Sequence, residues 1–167
     1  PTGKLKGPLL YSGGIGDVWL NRNLTKAQNA KVQRKAIDAY RANPLVAAVL
    51  TRAEILATGT PSAPPESWSV AERVRASFDP ARSGDFYVAL KPRVTPIPDP
   101  TKGYVATHGS PWDYDRRVPM LFWRKGMAGF EQPLSVETVD IMPTLAALIG
   151  LPVASTEIDG RCLDLDA

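Results

Sequence analysis

Apolar residues recur at every fourth position early in the chain, which predicts an amphipathic helix. Val32, Ala36 and Tyr40 share one face at this spacing, and charged side chains occupy most of the opposite face. Thr25 can accept hydrogen bonds from the first helical turn as an N-cap residue. The pattern therefore predicts a helix from Thr25 to about Arg41, with its apolar face on a core.

Three segments have patterns typical of β-strands. Residues 85–91 alternate between apolar and other side chains, as in a half-buried strand, and residues 45–50 form a short apolar run. Residues 9–21 predict a β-hairpin, because the glycine-rich stretch 12–16 separates two apolar stretches. A nucleotide-binding glycine loop is disfavoured there, since the residues that follow predict a strand rather than a helix.

The second half of the chain is denser in predicted elements. Residues 104–107 predict a short strand that ends at His108, and the almost wholly apolar residues 118–123 predict a strand covered on both faces of a sheet. Residues 140–149 predict a helix that is apolar nearly all round, with Pro143 tolerated in its first turn. Such a helix should be buried against something large. Two proline-rich loops, 60–68 and 92–100, and a short helix, 69–77, connect these elements.

The alternation of strands and helices predicts an α/β chain with a mainly parallel sheet flanked by helices. We divide it into residues 1–60, a small hairpin–helix–strand unit, residues 61–82, a proline-rich loop with a short helix, and residues 83–167, part of an α/β core.

Composition and charge exclude some classes of partner. The chain is 44% hydrophobic and 22% charged, as in ordinary globular proteins, and it lacks an apolar run long enough to span a bilayer. Its formal net charge is +3, and the basic residues are scattered rather than concentrated in a stripe with aromatics. We therefore expect no nucleic-acid and no membrane partner.

Two further residues bear on the context of the chain. Cys162 is the one cysteine, so no disulfide can form within the chain, and we expect a small buried apolar residue. The chain starts at Pro1 rather than at an initiator methionine, which predicts that an upstream segment has been removed. Nothing near Pro1 favours a catalytic role for its amine.

His108 is the single histidine and the first candidate for chemistry. It follows a predicted strand, and in α/β sheets ligands collect beyond the carboxyl ends of strands. Gly109 allows the backbone to turn sharply after it. A lone histidine is more often a hydrogen-bonded structural residue, so position alone does not decide its role.

Four segments resemble motifs of the alkaline phosphatase superfamily. Residues 107–122, with the sequence THGSPWDYDRRVPMLF, resemble its T-H-G-S-x-x-x-Y-D-x-x-V-P-x-x-F segment. They are most similar to the form in bacterial phosphatases that share a core with phosphodiesterases and nucleotide pyrophosphatases. Residues 139–145 resemble the V-D-I-x-P-T-L helix start, which sulfatases also have. Residues 158–163 resemble the D-G-x-x-L segment, and residues 83–92 the strand before the histidine loop.

The resemblance implies the C-terminal portion of an alkaline-phosphatase-like fold. It also implies a zinc-dependent hydrolase that cleaves phosphate monoesters through a phosphoenzyme, with two zinc ions and with His108 as a ligand of one of them. The nucleophile and the remaining ligands would come from the upstream part of the same enzyme, so we expect no catalytic residue in this chain and no activity from it alone. A periplasmic or secreted location is implied as well.

For the other polar residues near the motifs, we expect structural roles rather than catalytic or metal-ligand roles. The spacing of Asp113 and Asp115 from His108 differs from the ligand pattern of the family, and loop, cap or ligand-supporting roles are favoured for both. Thr107 should point to the opposite side of its strand, away from a nucleophile position. Ser110 is explained by the turn and Asp140 by a helix cap.

Two alternatives remain open from the sequence. The chain could belong to a phosphodiesterase or a sulfatase of the same superfamily, since the helix motif is shared among them. It could also be a non-catalytic α/β lobe that binds a partner or only completes a fold.

Overall fold

A computed structural model describes residues 7–12, 16–97 and 99–165, and the chain divides into two compact units. The first unit comprises residues 1–61 and 69–118, and the second comprises residues 62–68 and 119–167. Residues 83–118 were predicted to belong with the C-terminal part, whereas the structure groups them with the N-terminal residues.

The first unit is built on a four-stranded antiparallel sheet. Its strands are β1 (Leu10–Ser12), β2 (Asp17–Leu20), β3 (Val46–Thr51) and β4 (Phe86–Leu90). Their order in the sheet is β1-β2-β4-β3. The predicted hairpin is confirmed as β1–β2, and its turn residues 13–15 lie outside the described residues. No strand pair in the described ranges is parallel, so the chain has a mixed α/β fold without the predicted parallel sheet.

Among the described residues of the first unit, three helices of six residues or more accompany this sheet, and two of them were predicted. Helix α1 (Lys26–Ala42) begins after Thr25, whose hydroxyl accepts a hydrogen bond from the Gln28 N–H, and α3 (Val70–Ala76) follows Ser69. Helix α2 (Arg52–Ala57) was missed, although Thr51 and Glu54 form a capping box that marks its start.

The sheet separates two hydrophobic clusters because successive side chains of a strand point to opposite faces. One face packs with α1 through a first cluster: Val18, Ala36, Ile37, Val49, Phe86 and Val88. The other face packs with α2 and α3 through a second cluster: Ile55, Val74 and Phe78, with Leu50 and Tyr87 against it. Phe86 is fully buried and meets the Tyr40 ring edge-on at 5.9 Å between centroids.

The junction of β2 and β4 explains the Ser-Gly-Asp sequence before β4. A Cβ on Gly84 would lie 2.7 Å from the backbone oxygen of Val18, so a larger residue would push the strands apart. The Gly84 N–H donates to the Asp17 carboxylate at 2.9 Å, and the Leu20 N–H donates to the Asp85 carboxylate at 2.7 Å. These bonds fix the register at the start of β4.

Two predicted strands are absent. Residues 104–107 and 118–123 have no regular secondary structure. Most of their apolar side chains are exposed, with Leu121 at 90% and Trp123 at 83%, while Met120 and Phe122 are partly buried. A strand requires a neighbouring strand for its N–H and C=O groups, and no strand in the described ranges pairs with either segment.

The second unit contains helix α5 (Ile141–Leu148), which begins after a 3₁₀ turn (Thr138–Asp140). The predicted helix is confirmed, with Pro143 in its first turn and Gly150 in the left-handed conformation after its end. Its predicted burial is wrong in this chain, because Met142 and Leu145 are half exposed and Ile149 is largely exposed.

Asp140 is buried but does not cap α5 through its side chain. Its carboxylate accepts the N–H of Glu137 and the N–H of Arg161, each at 2.9 Å. The Thr144 hydroxyl donates to the Asp140 carbonyl and accepts the Leu163 N–H. The motif residues at 140 and 160–163 therefore fasten the C-terminal segment to α5.

The remaining short elements are helix α4 (Asp113–Arg116) and 3₁₀ turns at Pro65–Ser67, Pro100–Lys102 and Ser155–Glu157. Among the described residues, no helix combines the length and apolar character needed to cross a membrane.

Replacement of Phe86 by alanine should lower the free energy of unfolding by about 3–5 kcal/mol, because it leaves a cavity under α1. Urea unfolding of the protein measures this change. Leu45→Ala is the control, since Leu45 is about half exposed and the cost should stay below about 1 kcal/mol. Equal losses in both variants would contradict the core position of Phe86.

Candidate metal-binding loop

His108 lies on an irregular loop and its side chain is exposed. The next residue, Gly109, has φ = 99°, a conformation that favours glycine, and it turns the chain away immediately after the histidine. The strand expected before His108 is absent.

Short helix α4 after this loop is fastened to the sheet and to α3. The Trp112 indole N–H donates to the Leu90 carbonyl at 2.9 Å, at the end of β4. Arg73 of α3 donates to the Pro111 carbonyl at 3.2 Å and pairs with the Asp113 carboxylate at 3.2 Å. Asp113 thus serves as an ion-pair partner that holds α4 in place.

A further contact ties α4 to the turn after β4. The Arg93 N–H donates to the Tyr114 hydroxyl at 2.7 Å. Arg93 has φ = 64°, which is unfavourable for a residue with a Cβ and persists only where surrounding contacts hold it. Tyr114 supplies such a contact.

Asp115 connects α4 back to the histidine loop. Its carboxylate accepts the Ser110 N–H at 2.7 Å. The Ser110 side chain and backbone N–H, and then the nearby His108 imidazole, hold the pKa of Asp115 below its usual range. The Ser110 hydroxyl is buried and lies close to this carboxylate without the geometry of a hydrogen bond, so the backbone N–H makes the defined contact. Sequence reasoning assigned Ser110 to a turn, and the Asp115 carboxylate is what closes that turn.

A cavity of about 280 Å³ lies beside the loop. Thr107 and His108 both line it, and the strand on whose opposite side Thr107 was expected to point is absent. The rest of the lining is largely apolar and aromatic and includes Tyr40, Tyr87, Val94 and Tyr114.

The loop offers one nitrogen donor to a metal rather than a complete site. Within residues 7–12, 16–97 and 99–165, no group of three or more His, Cys, Asp or Glu side chains could hold a metal ion. A catalytic zinc ion usually has three protein ligands. Cys162, expected to be buried, is exposed and lies in the second unit.

Tyr87 has a perturbed acidity. Burial, followed by the negative charges of Asp17 and Asp115, raises the pKa of Tyr87 to about 12. The neutral phenol is therefore the form that the fold favours.

The folded protein should lose stability between about pH 10 and about pH 12. In this window the unfolded chain releases the Tyr87 proton while the folded chain retains it, so the free energy of unfolding falls as the pH rises. Denaturant unfolding from pH 9 to 12 should show a shallower decline for Tyr87→Phe than for the unmodified protein. The same slope in both proteins would contradict the assignment.

The chain is similar to segments of two bacterial enzymes. It is 62% identical over 156 residues to the alkaline phosphatase PhoK of a Sphingomonas species. The aligned residues make up 93% of this chain and 28% of that protein. It is 56% identical over 151 residues to the alkaline phosphatase PhoD of Zymomonas mobilis. Here the aligned residues make up 90% of this chain and 26% of that protein. No protein-family profile matches the chain. The chain thus spans about a quarter of the length of the curated relatives it matches, and nearly all of it is similar to a segment of an alkaline phosphatase.

Proposed function

We propose that this chain is the C-terminal part of a zinc-dependent phosphatase of the alkaline phosphatase superfamily. One observation carries the proposal: 62% identity to an alkaline phosphatase over 93% of the chain. Identity at this level, sustained over almost every residue, supports a shared fold and a shared role for the segment. The relation to phosphodiesterases and nucleotide pyrophosphatases is part of the proposal and rests on the sequence motifs around His108.

In the proposed function, His108 ligates one of two zinc ions. The residues present fit such a role in a shared site, because the imidazole is exposed on a restrained loop and imidazole nitrogen is a common zinc ligand. They do not fit a self-contained site, because the described residues hold no group of three or more His, Cys, Asp or Glu side chains that could bind a metal ion. The remaining ligands and the nucleophile would come from the upstream part of the same enzyme.

The chemistry assigned to the metal pair is general for phosphoryl transfer. When bound, the zinc ions would neutralise charge on the phosphoryl group and support a phosphoenzyme route. The contribution of this chain is to hold the His108 imidazole at a fixed place. Trp112 and Arg73 support this contribution, since they fasten α4 to β4 and α3.

The proposal also accounts for exposed apolar segments. Residues 104–107 and 118–123 would pair with strands of a mainly parallel sheet formed by the rest of the enzyme, and the same enzyme would cover the exposed side of α5. Large exposed apolar side chains such as Leu121 and Trp123 are typical of surfaces that another part of a protein covers.

Phosphate monoesters are the proposed substrates, and a periplasmic or secreted location is proposed with them. A comparison of rates on aryl phosphate monoesters, phosphate diesters and sulfate esters, made with the whole enzyme, tests the substrate class. Faster turnover of the diester would favour a phosphodiesterase, and faster turnover of the sulfate would favour a sulfatase.

The chain expressed alone should not hydrolyse p-nitrophenyl phosphate, because it has one proposed ligand and no proposed nucleophile. The purified chain is assayed with added zinc, beside the whole enzyme. Turnover by the isolated chain that a chelator abolishes would show that the site is complete without other segments.

In the whole enzyme, His108→Ala should remove or weaken one zinc ion and lower kcat/KM more than about 100-fold, since loss of residues that only support a ligand already costs roughly 10–100-fold. Metal content by atomic emission and turnover are the measurements. Cys162→Ser is the matched control, because it removes the one other side chain of this chain with high intrinsic zinc affinity. Full zinc content and a normal rate in His108→Ala would exclude the proposed ligand and favour a non-catalytic lobe.

A further inference from the structure

We infer that Asp115 is a positioning residue, which fixes the loop that carries His108 and thereby sets the affinity of the enzyme for the metal ion that His108 ligates. The inference rests on the proposed zinc-ligand role of His108 and goes one step beyond it. Asp115 acts through the backbone of the loop and does not itself touch the metal.

The first observation is the contact between the carboxylate and the loop. Asp115 Oδ2 accepts the Ser110 N–H at 2.7 Å, two residues after His108. Gly109 lies between them with φ = 99°, and glycine has a wide choice of backbone conformations. Without a restraint on Ser110, this glycine would allow the His108 backbone to adopt several orientations. The hydrogen bond to a charged acceptor selects one of them.

The second observation is that the residue which supplies the restraint is itself held in place. Asp115 belongs to α4, and α4 is fastened by Trp112 to the last residue of β4, by Arg73 to α3 and by Tyr114 to the turn at Arg93. The Arg73 side chain is only 13% exposed and reaches both Pro111 and Asp113. The restraint on the loop is therefore transmitted from the core of the first unit.

The two aspartates of α4 have separate tasks. Asp113 pairs with Arg73 and Arg116, each at 3.2 Å, and stabilises the helix in place. Asp115 faces the histidine loop, and the acceptance of the Ser110 N–H explains a carboxylate at this position without any metal contact. An asparagine at position 115 could still accept this hydrogen bond through its amide oxygen, whereas an alanine could not.

This difference defines the experiment, which uses the whole enzyme. Zinc affinity is measured by chelator competition for the unmodified enzyme and for Asp115→Ala, Asp115→Asn and Asp38→Ala. Asp38→Ala removes an exposed carboxylate of α1, far along the chain from the loop. The absorption spectrum of the cobalt-substituted enzyme reports the coordination geometry, and thermal unfolding of the metal-free forms reports the fold.

We expect Asp115→Ala to weaken zinc binding about 10–100-fold and to alter the cobalt spectrum, while the metal-free Tm stays close to that of the unmodified protein. Asp115→Asn should restore the affinity to within a few-fold, and Asp38→Ala should leave it unchanged. Unchanged affinity in Asp115→Ala would overturn the inference. Equal loss in Asp115→Asn would also overturn it, because a direct ligand requires the charge and a loop restraint does not.

A misfolded Asp115→Ala does not end the test, because Asp115→Glu then takes its place. The longer side chain keeps the charge and displaces the carboxylate from Ser110, so reduced affinity is expected and unchanged affinity overturns the inference. His108→Ala distinguishes a failure of the proposed function from a failure of the positioning role of Asp115. If it retains all zinc, the proposed function fails; if it loses zinc while Asp115→Ala binds normally, only the positioning role fails.

Discussion

Strand β4 is the element on which the first unit depends, because it pairs with β2 on one side and β3 on the other. These three strands are far apart in sequence, so the sheet closes only when residues 86–90 insert between the hairpin and β3. Phe86 and Val88 complete the cluster under α1, and Tyr87 completes the cluster against α2 and α3. The absence of a side chain at Gly84 and the carboxylates of Asp17 and Asp85 set the register of this insertion.

The same strand also holds the loop that carries His108 in place. Leu90 ends β4 and receives the Trp112 indole, while Arg73 holds the backbone at Pro111. The histidine loop would otherwise be an irregular, exposed segment with a flexible glycine. Its order comes from a short helix bound to the sheet rather than from secondary structure of its own. This arrangement suits a loop whose proposed purpose is to present one side chain to a site made largely by other segments.

The second unit and the exposed apolar segments have a different character. Asp140 and Thr144 fasten the C-terminal segment to α5 through buried polar contacts, which supply local order. Met142 and Leu145 stay exposed on α5, and so do Ile149 at its end and Leu121 and Trp123 before it. The relatives are about four times as long as the matched segment, and the proposed enzyme would supply the surface that covers these side chains.

Sequence periodicity was sufficient for the elements with a local cause. Helix α1, the short helix after Ser69, strand β4 and the helix with Pro143 in its first turn were all predicted, because caps and apolar spacing are properties of neighbouring residues. Helix α2 was missed because it is only six residues long. Its Thr51–Glu54 capping box was the signal in the sequence that could have identified its start. The strands predicted at 104–107 and 118–123 are absent for the opposite reason. Their apolar residues are compatible with a strand, but strand pairing depends on a partner that local pattern does not contain.

The sequence by itself thus determined the local elements, the single histidine and the glycine that follows it. The tertiary structure alone decided that β4 lies at the centre of an antiparallel sheet, and that Asp115, rather than Thr107 or Asp113, contacts the backbone beside His108. The physical reason is that both outcomes depend on contacts between residues brought together by folding. A hydrogen bond from Ser110 to Asp115 forms only when α4 is anchored on β4 and α3, and no spacing along the chain encodes that anchor.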